Sequence, residues 1–284
     1  MKKIGFIDYY ISEWHANNYP AWIDEACARL GLEYKLAYAW AELNSSPKYG
    51  ETTDEWCKKF GAEKCNTIEE LCEKSDVIVI LAPSDPETHL GYAEKALKYG
   101  KPTYIDKTFA PDLATAKKIF DIAEQHGTPF FSSSALRYGD ELETPYECRE
   151  ILTTGGGSNL PEYIIHQAEM VVKKLGGGAK SIKAETYGSK TYLHVTYPDD
   201  RAATMIYASN LSFTAAMWGG EGTKNIQKEI RSAYFVKLIE DMVSFFETQR
   251  FSFDGKETLE VIKLREGAIR AYELHGEWID LPRI

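Results

Sequence analysis

Positive charge is in deficit: 33 Lys and Arg stand against 43 Asp and Glu, a net charge of −10. That balance favours solubility and argues against a nucleic-acid or anionic-membrane partner. Long apolar runs are missing, and none approaches the ~20 residues that cross a bilayer. The opening Met1-Lys2-Lys3-Ile4-Gly5-Phe6 goes straight into a strand, so no signal peptide is expected. The five Cys are an odd number without a Cys-x-x-Cys pair, which fits reduced thiols in a cytoplasmic protein. Cys57, Cys65 and Cys72 read as small buried apolar residues, and no metal site is expected. Repeats and low-complexity segments are absent too.

Glycine is missing from one telling place. Lys3 to Ile7 reads as a first strand, after which a nucleotide-binding sheet turns tightly on glycines and approaches a pyrophosphate. Here the three positions hold Asp8, Tyr10 and Glu13. Side chains obstruct that approach, and two of them add negative charge. A helix is expected to begin near Pro20 and run to Arg29 or Leu30. Tyr9, Tyr10, Trp14, His15, Asn17 and Asn18 would then lie before it, either touching a ligand or packing an interface.

What is present is organised around Asp76 to Arg137. Val77-Ile78-Val79-Ile80-Leu81-Ala82 is a strand-length apolar run. Asp85 and Pro86 open a helix with Leu90, Ala93 and Leu97 on one face and Gly100 as its stop. Pro102-Thr103-Tyr104-Ile105 leads to Asp106-Lys107-Thr108, a second helix ends at Gly127, and Pro129-Phe130-Phe131 follows. Short links between strands and helices predict parallel β-α-β-α-β. Ligands bind at the carboxyl ends of such strands, which makes Lys107 the first candidate functional residue.

Beyond Arg137 the pattern changes. Pro145–Leu152 reads as helical and Thr153–Ser158 as a flexible loop. Pro161–Leu175 is a helix stopped by Gly176-Gly177-Gly178. Four strand-length runs follow between Ser181 and Trp218, joined by turns and hence antiparallel. Glu229–Thr248 and Glu257–His275 are amphipathic helices. With 284 residues, 44% of them apolar, there is material for two domains: 1–132 for nucleotide binding, and 133–284 for substrate binding and oligomerisation. The fold class is α/β, a parallel sheet followed by an α+β domain on an open, mostly antiparallel sheet.

Several of these segments resemble the Gfo/Idh/MocA oxidoreductases. They are Ala82-Pro83, His89, Gly100-Lys101-Pro102 through Asp106-Lys107-Thr108, and Glu162-Tyr163-Ile164-Ile165-His166-Gln167-Ala168-Glu169. The family's Glu-Lys-Pro is here Asp106-Lys107-Thr108, and both acids flanking His166 are Glu. The stretch between Arg137 and His166, where the family has a further strand, reads as trimmed. The resemblance implies a Rossmann-like first domain and an NAD- or NADP-dependent dehydrogenase acting on a sugar, inositol or related polyol. It implies Lys107 and His166 as the catalytic pair, since oxidising an alcohol requires a base within reach of its hydroxyl and His titrates near neutrality. Glu162, one turn before His166, would orient the ring or bind a hydroxyl. Pro83, Ser84, His89, Asp106 and Lys107 would contact the cofactor. Arg137, Tyr163, Trp14 and His15 would contact substrate, Arg137 alternatively pairing with Glu141. A homodimer or homotetramer through the second sheet is expected. The altered glycine positions keep open another outcome: a non-catalytic ligand-binding or interaction protein of the same fold that has lost the dinucleotide.

Overall fold

The apolar runs of the first half pair into one parallel sheet. In the computed structural model, which describes residues 1–284, the elements are β1 (Lys2–Asp8), α1 (Trp14–Leu30), β2 (Tyr34–Ala41), α2 (Thr53–Phe60), β3 (Glu63–Lys64), α3 (Ile68–Lys74), β4 (Val77–Ile80), α4 (His89–Ala96), β5 (Thr103–Ile105), α5 (Leu113–His126) and β6 (Phe130–Phe131). The strand order is β3-β2-β1-β4-β5-β6, every pair parallel. This is the doubly wound Rossmann order, with its switch point between β1 and β4. β4 is buried at all its residues, as a central strand covered on both faces must be.

The second half builds β7 (Glu150–Gly155), α6 (Leu160–Leu175), β8 (Ser181–Tyr187), β9 (Lys190–Thr196), β10 (Ala202–Tyr207), β11 (Thr214–Trp218), β12 (Ile226–Glu229), α7 (Tyr234–Thr248), α8 (Lys256–Leu274) and β13 (Trp278–Asp280). Its seven strands run β12-β11-β7-β10-β9-β8-β13. Only the β7–β10 pair is parallel; the others are antiparallel. Buried and partly exposed residues alternate along β9 and β10, the pattern of a sheet with one face on its core. Gln167 of α6 fastens helix to sheet: it accepts from Thr153 Oγ1 at 2.8 Å and donates to the carbonyls of Gly155 and Ile206 at 3.2 and 3.1 Å.

Two compact units result, Met1–Ser133 with Val236–Asp254, and Ser134–Phe235 with Gly255–Ile284. The first thus recruits most of α7 from late in the chain. Phe245 packs on Phe131 with ring centroids 4.9 Å apart, Phe246 lies 5.9 Å from Tyr34, and Glu247 accepts from Lys2 and Tyr34. No helix is long and apolar enough to cross a membrane. Nowhere do three His, Cys, Asp or Glu side chains gather as a metal site would require. All five cysteines are buried free thiols, and burial pushes Cys72 up to about 12.

Three expectations are corrected. The first helix begins at Trp14, not Pro20, because Glu13 supplies an N-cap that periodicity alone does not reveal; Pro20 lies inside α1. Residues 150–155 are a central strand, not the end of a helix and the start of a loop. Ile151, Thr153 and Gly155 face inward, and the polar Thr153 disguises the alternation. The strand before the His166 helix is therefore present, so that region is not trimmed. Finally, α7 begins at Tyr234, five residues later than Glu229, which belongs to β12.

Candidate functional site

At the carboxyl edge of the first sheet, the turn from β1 to α1 is closed by its own side chains. The Glu13 carboxylate accepts from the backbone N–H of His15 at 2.7 Å and from that of Ala16. Those are two of the donors that a helix N-terminus otherwise leaves open. Glu13 is only 6% exposed, and burial raises its pKa even though His15 and the two backbone N–H groups favour the charged form. Asp8 is buried beside it. Its Oδ1 accepts from the Tyr9 and Ala82 N–H groups at 2.7 and 3.0 Å, while its Oδ2 has no hydrogen-bond partner. Burial first, and then the Glu13 charge, hold Asp8 well above the usual carboxylate range.

A pH dependence follows from Asp8. An acid whose folded pKa is raised binds its proton more tightly folded than unfolded. Its share of stability is complete below the unfolded value of about 3.9, and is lost as pH rises through the folded value. Asp8→Asn keeps the Oδ1 acceptor and removes the titration. The variant should match wild type at low pH and melt higher at and above neutrality, as thermal unfolding followed across the range would show. Parallel curves for the two proteins would refute this assignment.

The residues expected to line the cofactor and substrate divide sharply. Asp106 is fully buried. It takes His15 Nδ1 on one oxygen, and Tyr104 OH at 2.9 Å and Tyr19 OH at 3.3 Å on the other. Burial opposes its charge, but the His15 ring, the neighbouring Lys107 and the Tyr104 hydroxyl outweigh it and hold the carboxyl below its usual range. Asp106 is a buried acceptor for His15, Tyr104 and Tyr19. His15 is its partner and stacks on Tyr19, 5.2 Å between centroids. His89 is likewise fully buried, its ring nitrogens facing the carbonyls of Phe109, at 3.0 Å, and Leu81. Burial keeps its pKa below the ordinary value. It ties the loop after β4 to the loop after β5. Lys107 is partly exposed and donates to the Pro83 carbonyl at 3.2 Å. Ser84, next to it, is exposed, and Trp14 is 46% exposed, edge-on to His15 and Trp22.

In the second unit, α6 carries His166. Ser134 Oγ lies 2.7 Å from His166 Nδ1, and the rings of Tyr163 and Phe213 flank the imidazole at 5.8 and 5.5 Å. Ser134 is itself held, its N–H donating to Glu169 Oε2 at 3.1 Å. Glu169 also binds Arg137 Nε, and Arg137 Nη2 reaches Glu257 at 2.7 Å. Arg137 is 5% exposed, so it is a strut behind His166 and not a surface group for an acidic ligand. Nor is Glu141 its partner: that carboxylate takes the Arg231 and Ser232 N–H groups at 3.1 and 2.9 Å. The Glu162 carboxylate accepts from Ser158 and Asn159 at 2.9 and 3.2 Å, at the cap of α6. Ser134, which sequence reasoning missed, stands against Nδ1 of the His166 ring. The Ser132-Ser133-Ser134 run at the end of β6 was the available signal. Tyr163 lies over Gly157, where an added Cβ would come within 2.2 Å of its ring.

Comparison with known proteins fits this architecture. Residues 41–133 match the model of an oxidoreductase family with an NAD-binding Rossmann fold. Over that span the chain is similar to the Gfo/Idh/MocA oxidoreductases. The Gfo/Idh/MocA match starts at the end of β2 and so leaves out the β1–α1 turn. The uncharacterized oxidoreductase YhhX of Escherichia coli strain K12 is 33% identical over 66 residues, 22% of this chain and 19% of that relative. The matched segment thus spans about a fifth of YhhX. Among solved structures, a putative myo-inositol dehydrogenase from Sinorhizobium meliloti 1021 superposes with a TM-score of 0.75 at 11% identity, over 99% of this chain and 100% of that one. The scyllo-inositol dehydrogenase of Lactobacillus casei, solved with NAD(H) and scyllo-inositol, gives 0.78 at 14% identity over 98% of each. At such identities the likeness shows the fold: a Rossmann sheet followed by a mixed sheet.

The residues present do not fit the family's dinucleotide at the usual seat. A pyrophosphate lies at the first helix N-terminus on open N–H groups. Here Glu13 takes two of them, Asp8 is buried beside it, and no glycine makes room between Gly5 and Gly31.

Proposed function

We propose that this chain acts on a sugar, an inositol or a related polyol, with Lys107 and His166 assisting proton transfer at a substrate hydroxyl. The observation that carries the proposal is the mounting of His166. Ser134 and two aromatic rings fix the imidazole, and a buried Arg137–Glu169 pair fixes Ser134. A general base needs such fixed orientation before its pKa matters. Lys107, at the end of a Rossmann strand, supplies a cation that polarises the substrate oxygen. Tyr163 is the first candidate for a hydroxyl contact, and the inositol and sugar dehydrogenases among similar folds support the substrate class. The capped α1 turn does not fit the family's pyrophosphate at its usual seat, so oxidation of that hydroxyl would need a hydride acceptor held elsewhere. The capped turn also favours a second reading, a polyol-binding protein without turnover. For assembly, we take the outward face of the second sheet, with Tyr192, His194, Thr204 and Ile206, as the surface of a homodimer or homotetramer.

The test is a panel of aldoses, inositols and alditols, read by thermal shift and by product analysis. One class should raise the melting temperature of the wild type. His166→Ala and Lys107→Ala should stay folded and lose turnover by roughly 10²- to 10⁴-fold, the usual weight of a general acid or base. Stabilisation without product selects the binding role. A folded wild type that no polyol stabilises would sink the substrate class.

A further inference from the structure

We infer that Glu13 is an internal anion occupying the phosphate seat of α1, and that with Asp8 it closes this Rossmann unit to dinucleotides. The seat of a Rossmann sheet is built from a glycine turn, which lets the phosphate come close, and from N–H groups at the head of the first helix, which bind it. Both parts are altered here, and by different residues.

The binding part is filled. The two Glu13 oxygens bond to successive N–H groups, those of His15 and Ala16, in the manner of a phosphate, while the Glu13 carbonyl accepts the first helical bond from Asn17 at 3.0 Å. The approach is filled as well. Asp8 stands at the end of β1 with an unpartnered buried oxygen. The intervening turn is fastened to the end of β2 by the Leu43 N–H to Tyr9 carbonyl bond at 2.8 Å and by the Glu42 N–H to Asp8 carbonyl bond at 3.1 Å. Glu42, where a ribose-binding acid is sought, receives the Tyr92 hydroxyl at 2.7 Å. A pyrophosphate would have to displace a buried carboxylate from its donors and then sit beside a second one. An added phosphate charge there is repelled by the Glu13 carboxylate and enters surroundings that already disfavour charge on Asp8. A neutral polyhydroxylated ligand meets neither obstacle, so the closure leaves the proposed substrate class untouched and does not depend on it.

The experiment uses the full chain and three probes: NADH, NADPH and inorganic pyrophosphate, by calorimetry and nucleotide fluorescence. Wild type should show no saturable binding below about millimolar concentration, weaker than roughly −4 kcal/mol. Glu13→Ser keeps a preferred neutral cap residue and so protects the fold; Asp8→Gly with Glu13→Gly restores two fingerprint positions. At least one of the two should gain tenfold or more in NADH affinity, and both should retain the far-ultraviolet dichroism of wild type. Micromolar binding by the wild type overturns the inference whatever the variants do. Folded variants that bind no better than wild type overturn the assignment of the closure to these two carboxylates.

Discussion

Arg137→Met should destabilise the chain by about 3–5 kcal/mol, the cost of removing one partner from a buried ion pair. The loss comes from what remains. Glu169 is 4% exposed, and without the guanidinium its carboxylate is a buried charge with less to offset its lost hydration. Burial works against the Arg137 charge too, but Glu169 and Glu257 more than compensate and raise its pKa above the ordinary arginine value. Glu257 is better exposed, with 27% of its side chain open, and water replaces its bond at little cost. Hence Arg137→Met with Glu169→Met should recover most of the loss, since an apolar pair of similar volume often equals a buried ionic one. Arg137→Lys should not, because a lysine has one donor head where two carboxylates need a fork. Denaturant unfolding at neutral pH reads all three. A loss under about 1 kcal/mol for Arg137→Met would place it among ordinary surface substitutions and refute the strut. The same variant should loosen the His166 ring through Ser134, visible as broadened imidazole signals by NMR.

Asp106→Leu should cost a comparable 3–5 kcal/mol or so in the first unit, for a mirrored reason. One carboxylate serves three donors, from His15, Tyr19 and Tyr104, none of which leucine can accept. Asp106→Asn keeps one acceptor oxygen and should lose distinctly less. The acid limb gives a separate readout. Asp106 has a folded pKa below its unfolded value, so its contribution is fully present above about pH 3.9 and disappears as pH falls through the lower folded value. Wild type should therefore lose stability at the acid end more steeply than Asp106→Leu. Equal acid slopes in the two proteins would show that the carboxylate carries no such charge-dependent stability. The direction is opposite to that of Asp8, so the pair separates two carboxylates of one cluster by the sign of their pH response.

The first sheet was legible because its signals are local. Val77–Ile80 is a continuous apolar run, Gly100 and Gly127 end helices in the left-handed region, and short links enforce parallel pairing. The second sheet was legible in its hairpins and illegible at its centre. β7 has Thr153 at a core position, and the polar atom it buries is satisfied by Gln167, fourteen residues on. Nothing within the strand announces that bond. The start of α1 was lost for a related reason: Glu13 is an uncommon cap, and Pro20 resembles a first-turn residue. At the candidate site, Lys107 and His166 are proposed from the family resemblance and from residue type. Asp106, His89 and Arg137 carried the same type signals, yet the structure has turned them inward onto His15, onto backbone carbonyls and onto Glu169. Burial is a property of the assembled unit and has no mark on a charged letter in the sequence.

The return of residues 236–254 to the first unit has a consequence for synthesis. A ribosome delivers the six parallel strands within the first 133 residues, but the segment bearing Phe245 and Phe246, which packs on Phe131 and Tyr34, emerges only after the entire second sheet except β13. The nascent Rossmann unit therefore waits, with an aromatic face bare, while more than 100 further residues are translated. The order of the chain makes completion of the first unit one of the last events of its folding.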